Sequence, residues 1–227
     1  MKIYIDKPIL LAVTGPINSG KRAYVDFISK RLNCTHVYSL SAFAAYEAKK
    51  FFDHGINTEN KAEIREYMNI MRHMKGDSYF IKQLGLEEIV NYSVVFVRSL
   101  KNVEEIKYFQ SIGGIVVGIT ADQEIRYRRS QQEESLRGFS FEYFKEFEAT
   151  EFPELDRCYQ LANIQIRNDD FDFKKEPSKF YLGPCSDMLN DLARKFPQFD
   201  SDKNDYDPMY IKLVDDEEKR AVKTLLA

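Results

Sequence analysis

The chain has 227 residues, 44% of them hydrophobic, with 17 Phe, 14 Tyr and no Trp; this suits one domain with appendages, or one and a half domains. A formal charge of −3 supplies no global basic field and argues against a nucleic-acid partner. No apolar run approaches the roughly 20 residues of a membrane span, the start Met1-Lys2-Ile3-Tyr4-Ile5-Asp6 lacks a signal-peptide pattern, and Cys34, Cys158, Cys185, His36, His54 and His73 are scattered without metal-ligand spacing, so the expectation is a cytoplasmic protein with reduced thiols and no metal cluster.

Pro8-Ile9-Leu10-Leu11-Ala12-Val13 reads as a buried strand, and Arg22 to Arg31 as a helix with Ala23, Phe27 and Ile28 recurring at helical spacing. Between them lies Gly15-Pro16-Ile17-Asn18-Ser19-Gly20-Lys21-Arg22. Strand, Gly-x4-Gly-Lys, helix is the context of a phosphate loop. Gly15 and Gly20 permit backbone angles and approaches that a Cβ blocks. Backbone amides at Asn18, Ser19 and Gly20 and the helix N-terminus then face an anion, with Lys21 adding a point charge. Arg22 stands where the motif has the Ser or Thr that binds Mg²⁺, and a guanidinium cannot ligate a cation.

Further along, His36–Ser39 reads as a second strand and Ser41 as the cap of a helix over Ala42–Phe52, which His54-Gly55-Ile56-Asn57 breaks. Ile64, Tyr67, Met68 and Met71 stripe a helix over Thr58–Met74, and Asp77 caps another over Ser78–Val90. Ser93–Val97 is the strongest strand, with Arg98 at its carboxyl end. Val103–Ile112 is amphipathic, Ile115–Thr120 is an apolar strand, and Ala121–Glu134 is a helix whose centre carries Arg126, Arg128 and Arg129. These arginines have local partners within helical reach in Glu124, Glu133 and Glu134. Gly138 breaks the pattern, Ser140 caps Phe141–Ala149, Glu151–Leu161 is helical, and Ala162–Asn168 closes with a short strand. Strands alternating with helices predict a parallel α/β sheet, whose ligand sits outside the carboxyl ends of the strands, so Gly15, Ser39, Arg98 and Thr120 are expected on one rim. Beyond Phe171 prolines punctuate the chain. Asp200, Asp202, Asp205 and Asp207 form an acidic linker, and Ser186–Lys195 and Val214–Leu226 have helical character.

Over roughly residues 8–170 the sequence resembles the nucleoside monophosphate kinase-like phosphate-loop phosphotransferases. More narrowly it is similar to archaeal dephospho-CoA-kinase-like and adenylate-kinase-like proteins, phage deoxynucleoside monophosphate kinases and the kinase-like module of some deoxycytidylate deaminases. The likeness is carried by the loop, by Ile64-Arg65 with Arg72, Gly76 and Asp77, by Val97-Arg98-Ser99-Leu100 with Glu104-Glu105-Ile106 and Tyr108-Phe109, by Arg126-x-x-Arg129, and by Leu161-Ala162-Asn163 with Ile166 and Asn168.

The resemblance implies a three-layer α/β fold with a five-stranded parallel sheet, a kinase-like domain over 1–170, a helical acceptor-binding insert over about 41–90, an arginine lid over about 126–138, and an extension over 171–227. Lys21 would hold the β- and γ-phosphates of ATP. Arg72 and Arg98 would hold the phosphate of a small acceptor, a (deoxy)nucleoside monophosphate or dephospho-CoA. Arg129, with Arg126 or Arg137, would close on the transferring phosphate. The family pattern has an Asp three residues before the strand-end arginine, where this chain has Val95. With Arg22, both usual Mg²⁺-side groups are replaced. Two functions follow as expectations: an ATP-dependent kinase of a small phosphorylated acceptor, or a catalytically impaired nucleotide sensor acting through a protein partner by way of its extension.

Overall fold

In the computed structural model, residues 9–31, 35–51, 61–89, 94–132, 137–149 and 152–169 are described. The break at 54–57, positions 133 and 134, and everything expected of the extension lie outside them. Strand β1 (Ile9–Thr14) leads into helix α1 (Lys21–Arg31), then β2 (Thr35–Ser39), α2 (Leu40–Phe51), α3 (Lys61–Lys75), α4 (Tyr79–Gln83) and β3 (Val94–Leu100). The chain continues through α5 (Val103–Ser111), β4 (Ile115–Thr120), α6 (Gln123–Ser130), α7 (Phe141–Ala149), α8 (Phe152–Leu161) and β5 (Ile164–Arg167).

The strands form one five-stranded sheet in the order β2-β3-β1-β4-β5, every pairing parallel. Alternate residues of a strand point to opposite faces. Ile9, Leu11, Val13, Val94, Phe96, Ile115, Val117 and Ile119 therefore pack on one face with Tyr24 and Val25 of α1. Leu10, Ala12, Val95, Val97 and Val116 pack on the other against α2, α3, α4 and α5. Both faces are covered, which is why β1, β3 and β4 read as unbroken apolar runs.

Several details differ from the sequence reading. Strand β3 runs on to Leu100, so Arg98 lies within it and not after it, and α6 is confined to Gln123–Ser130 where the sequence predicts a helix over Ala121–Glu134. Helix α2 starts at Leu40, and Ser39, not Ser41, accepts from the Ala42 N–H at 3.4 Å. The helix expected over Ser78–Val90 ends at Gln83, because Gly85 turns left-handed (φ 60°) and the chain re-enters a single 3₁₀ turn at Leu86–Glu88. Asp77 does not cap α4: Ser78 holds the N-cap position, without a side-chain cap bond. Ser140 does accept from the Tyr143 N–H at 3.2 Å.

Cys158 is buried beside Thr14 on the second face. Burial pushes its thiol up to about 12, Glu154 and Glu105 add to the rise, and Thr14 and Arg157 oppose it. It stays protonated at neutral pH and is not a nucleophile.

Candidate phosphate-binding site

At the carboxyl end of β1 the loop makes its closest approach to a neighbouring strand. Gly15 adopts φ +131°, and a Cβ there would lie 1.9 Å from the Ile119 carbonyl oxygen of β4. Asn18 and Gly20 also have positive φ, 57° and 104°, and α1 begins at Lys21, with Tyr24 N–H donating to the Gly20 carbonyl at 3.2 Å. The Thr14 hydroxyl donates to the Leu100 carbonyl at 2.7 Å and ties the ends of β1 and β3 together.

The loop is gripped from the β4–β5 side. Three consecutive carbonyls are held by side chains distant in sequence: Ile17 by Arg126 at 3.4 Å, Asn18 by Arg129 at 3.3 Å, and Ser19 by the Asn168 amide at 2.9 Å. Arg129 also donates to the Asn168 carbonyl at 2.8 Å, and Asn168 N–H donates to Thr120 at 2.8 Å. In a trans peptide the C=O and the following N–H point opposite ways. The amides of Asn18, Ser19 and Gly20 are thereby turned away from these three side chains; that of Ser19 reaches back to the Pro16 carbonyl at 3.4 Å. Such a row of turned amides ahead of a helix N-terminus attracts anions.

Lys21 folds over the mouth, its Nζ donating to the Gly15 and Pro16 carbonyls at 2.8 and 2.6 Å. The Ser19 Oγ and Asn18 Nδ2 atoms are buried with no hydrogen-bond partner. Buried polar atoms are seldom left unsatisfied, so these fit a polar ligand. The loop residues therefore suit phosphate. The magnesium-side positions do not suit the metal. Arg22 is a cation directed outward, its side chain 86% exposed, and Val95 is packed inside the second face of the core. Among the described residues no group of three or more His, Cys, Asp or Glu could hold a metal ion.

On the β3 side, two residues of β3, Arg98 and Ser99, stand against Val13 of β1, because the register passes from Ala12↔Val97 to Thr14↔Leu100. Ser99 takes φ 63° within this bulge. A bulge re-aims the side chains around it. Arg98 here reaches Asp26 of α1 at 3.1 Å. Arg72 lies farther along, on α3, where it donates to the fully buried Glu105 at 2.6 Å and stacks 5.8 Å from the Phe80 ring. Glu105 also accepts from the Lys101 N–H at 2.8 Å, so an acceptor phosphate reaching Arg72 must compete with this carboxylate. Glu105→Gln keeps the shape and removes the charge. It is expected to lower stability by about 2 kcal/mol, read from the urea midpoint.

Arg126 and Arg129 sit beneath the loop as well as beside it. Arg126 is 2% exposed, ion-paired with buried Glu148 of α7 and bonded to the Ala121 carbonyl at 2.8 Å. It is packed between the Ile17 carbonyl of the loop and α7. Burial lowers its guanidinium to about 10, with Asp122 opposing and Arg129 adding to the fall, so it is charged at neutral pH. Arg137 is exposed on the turn before α7, which Gln131 and Tyr127 tie to α6. A concavity of about 630 Å³ lies elsewhere, lined by Asp77, Lys107, Glu154 and Arg157 among others and by no loop residue.

The sequence matches no protein-family model and no curated protein. Solved structures do match. A shikimate kinase from Bacteroides thetaiotaomicron aligns with a TM-score of 0.52 at 14% identity, over 82% of this chain and 98% of its own. TT1252 from Thermus thermophilus aligns with a TM-score of 0.50 at 18% identity, over 84% and 98%. The chain shares with the shikimate kinase the fold of a five-stranded parallel sheet with flanking helices. At these identities the likeness is one of fold. No helix among the described residues is long and apolar enough to cross a membrane.

Asp26, Glu105, Glu148 and Asn168 are the site residues that the sequence reading did not assign. Asn168 had a signal, since it closes the last stretch of the resemblance. Glu105 had one too, inside the stretch of the resemblance that ends at Tyr108-Phe109; Asp26 and Glu148 carried none, because their partners come from other elements.

Proposed function

We propose that the loop at Gly15–Lys21 binds the phosphates of a nucleotide, ATP first, and that the chain is a small-molecule kinase of the phosphate-loop type. The observation that carries this reading is the set of three successive loop carbonyls held from behind by Arg126, Arg129 and Asn168, with Lys21 at the mouth. Phosphoryl transfer depends mostly on positioning and charge neutralisation. Lys21 would exchange its two carbonyl partners for phosphate oxygens. Arg129, fixed at the loop's edge, would face charge developing on the transferred group, and Arg98 at the rim of β3 would receive the acceptor's phosphate. A (deoxy)nucleoside monophosphate is the first acceptor and dephospho-CoA the second, in the order the sequence resemblance gives. Thermal denaturation with ATP, dNTPs and monophosphates, each with and without Mg²⁺, tests the reading, because a ligand of the native state raises the melting temperature. ATP is expected to raise it, an acceptor to raise it further and yield a phosphorylated product, and Lys21→Ala to lose the ATP effect. No shift with any nucleotide overturns the proposal.

A second reading has its own support. Arg22 and Val95 occupy the positions where Mg²⁺ would be held, which favours a domain that binds a nucleotide without turning it over and passes the signal to a protein partner, with the extension over 171–227 as the contact. Nucleotide-dependent stabilisation with no product from any acceptor would select it.

A further inference from the structure

Arg22, in the metal-side position of the loop, is not alone. Asp26 lies one helical turn on, and its carboxylate is 3.7 Å from the Arg22 Nε and 3.1 Å from an Arg98 terminal nitrogen. Arg98 arrives from a different element, re-aimed by the bulge at Ser99 (φ 63°), and its Nε is buried without a partner. Two guanidiniums thus share one carboxylate beside the first turn of α1, where unsatisfied amides add further positive character. A cation entering this corner meets a net positive cluster, and an anion meets two forks suited to bidentate phosphate contacts.

We infer that this cluster replaces the divalent cation in reading a polyphosphate chain, which moves Arg98 from the acceptor's phosphate to the donor's, and that Asp26 is a resident counter-ion which the incoming phosphate displaces from Arg22 and Arg98. The inference rests on the reading that the loop receives phosphates. The exchange is physically reasonable. The Asp26 pairs are partly open to solvent, with side chains 86%, 44% and 34% exposed for Arg22, Asp26 and Arg98, and such pairs hold weakly. Guanidinium–phosphate contacts are charge-assisted and geometrically matched. A divalent cation already on the polyphosphate would cancel the charge that the two arginines recognise, so the metal is expected to oppose binding.

Calorimetric titration of the full chain with ATP and with inorganic tripolyphosphate, each in excess EDTA and in excess Mg²⁺, tests the inference. Arg22→Gln, Arg98→Gln and Asp26→Asn probe the cluster, and Lys21→Ala probes the loop. Both ligands should bind in EDTA and bind more weakly with Mg²⁺. Asp26→Asn should tighten binding several-fold, while Arg22→Gln and Arg98→Gln should each weaken it about tenfold or more. Equal tripolyphosphate and ATP affinities would assign the binding to the phosphates; tighter ATP would add a nucleoside contact to the same cluster. Binding that requires Mg²⁺, or an Asp26→Asn variant that binds no better than the parent, overturns the inference. Loss in Lys21→Ala alone, with the three cluster variants unchanged, overturns it and leaves the phosphate-loop reading standing. Failure of the unaltered chain to bind either ligand overturns both. Each variant's melting temperature without ligand shows whether it is folded.

Discussion

Glu148→Ala is expected to destabilise the protein by about 3–5 kcal/mol, because removing one member of a buried ion pair leaves the other charge uncompensated. Arg126 and Glu148 are 2% and 4% exposed. With Glu148 gone, the guanidinium keeps its bonds to the Ala121 and Ile17 carbonyls but loses its counter-charge. For a chain of this size the loss corresponds to a melting temperature lower by roughly 10 °C. The paired variant Arg126→Met with Glu148→Leu discriminates stability from function. Apolar replacement of a buried pair is often neutral or stabilising, so most of the lost stability should return. The Ile17 carbonyl would then have no donor from Arg126, and nucleotide affinity should stay reduced. Full recovery of affinity along with stability would show that Arg126 serves the core and not the loop.

This pair also shows what the sequence could and could not reveal. Helical spacing offered Arg128 and Arg129 a glutamate four residues away, Glu124 and Glu133, and offered none at that spacing to Arg126. Its carboxylate is instead Glu148, on the following helix and 22 residues away. Arg72 finds Glu105 across 33 residues, Arg98 finds Asp26 across 72, and Asn168 finds Ser19 across 149. Periodicity reports which face of an element is buried; it carries no information on which polar side chain of another element will meet it there. The apolar runs of β1, β3 and β4 were legible for the same reason, since two covered faces leave no polar alternation. The loop was legible because its backbone conformation demands glycines at fixed spacing. The early end of α4 was not, because a single Gly85 inside an apolar stretch can be a tolerated helical residue or a left-handed stop, and only the packing of Leu86 and Phe80 into the core settles it. Arg98 was legible as the first charge after an apolar run, but β3 continues through it to Leu100. The bulge that aims it at α1 was not, because Ser99 is neither Gly nor Asn and gives no hint of a positive φ.

Gly15→Ala is expected to remove nucleotide binding and to cost about 3 kcal/mol of stability, from strain at a forbidden backbone angle and overpacking together. The φ of +131° lies outside what an L side chain adopts readily, and the added Cβ would sit 1.9 Å from the Ile119 oxygen and 3.0 Å from its carbon. The obstacle is backbone, so no side-chain rotation relieves it. The loop must move away from β4, and that movement pulls on the Thr14↔Gly118 register and on the grip of Asn168, which is itself bonded to Thr120. Gly113→Ala is the matched control. Gly113 also has a positive φ, +85°, but nothing lies within 4 Å of its added Cβ. It should cost about 1–2 kcal/mol from left-handed backbone alone and leave nucleotide binding intact. Urea denaturation and ATP-dependent thermal shifts on the two variants separate the contributions. If Gly15→Ala proves as mild as Gly113→Ala and still binds ATP, the close approach of the loop to β4 is not what shapes the site. If only the Gly15 variant loses binding, the contact between the loop and Ile119 is what holds the amides of Asn18, Ser19 and Gly20 in place for phosphate.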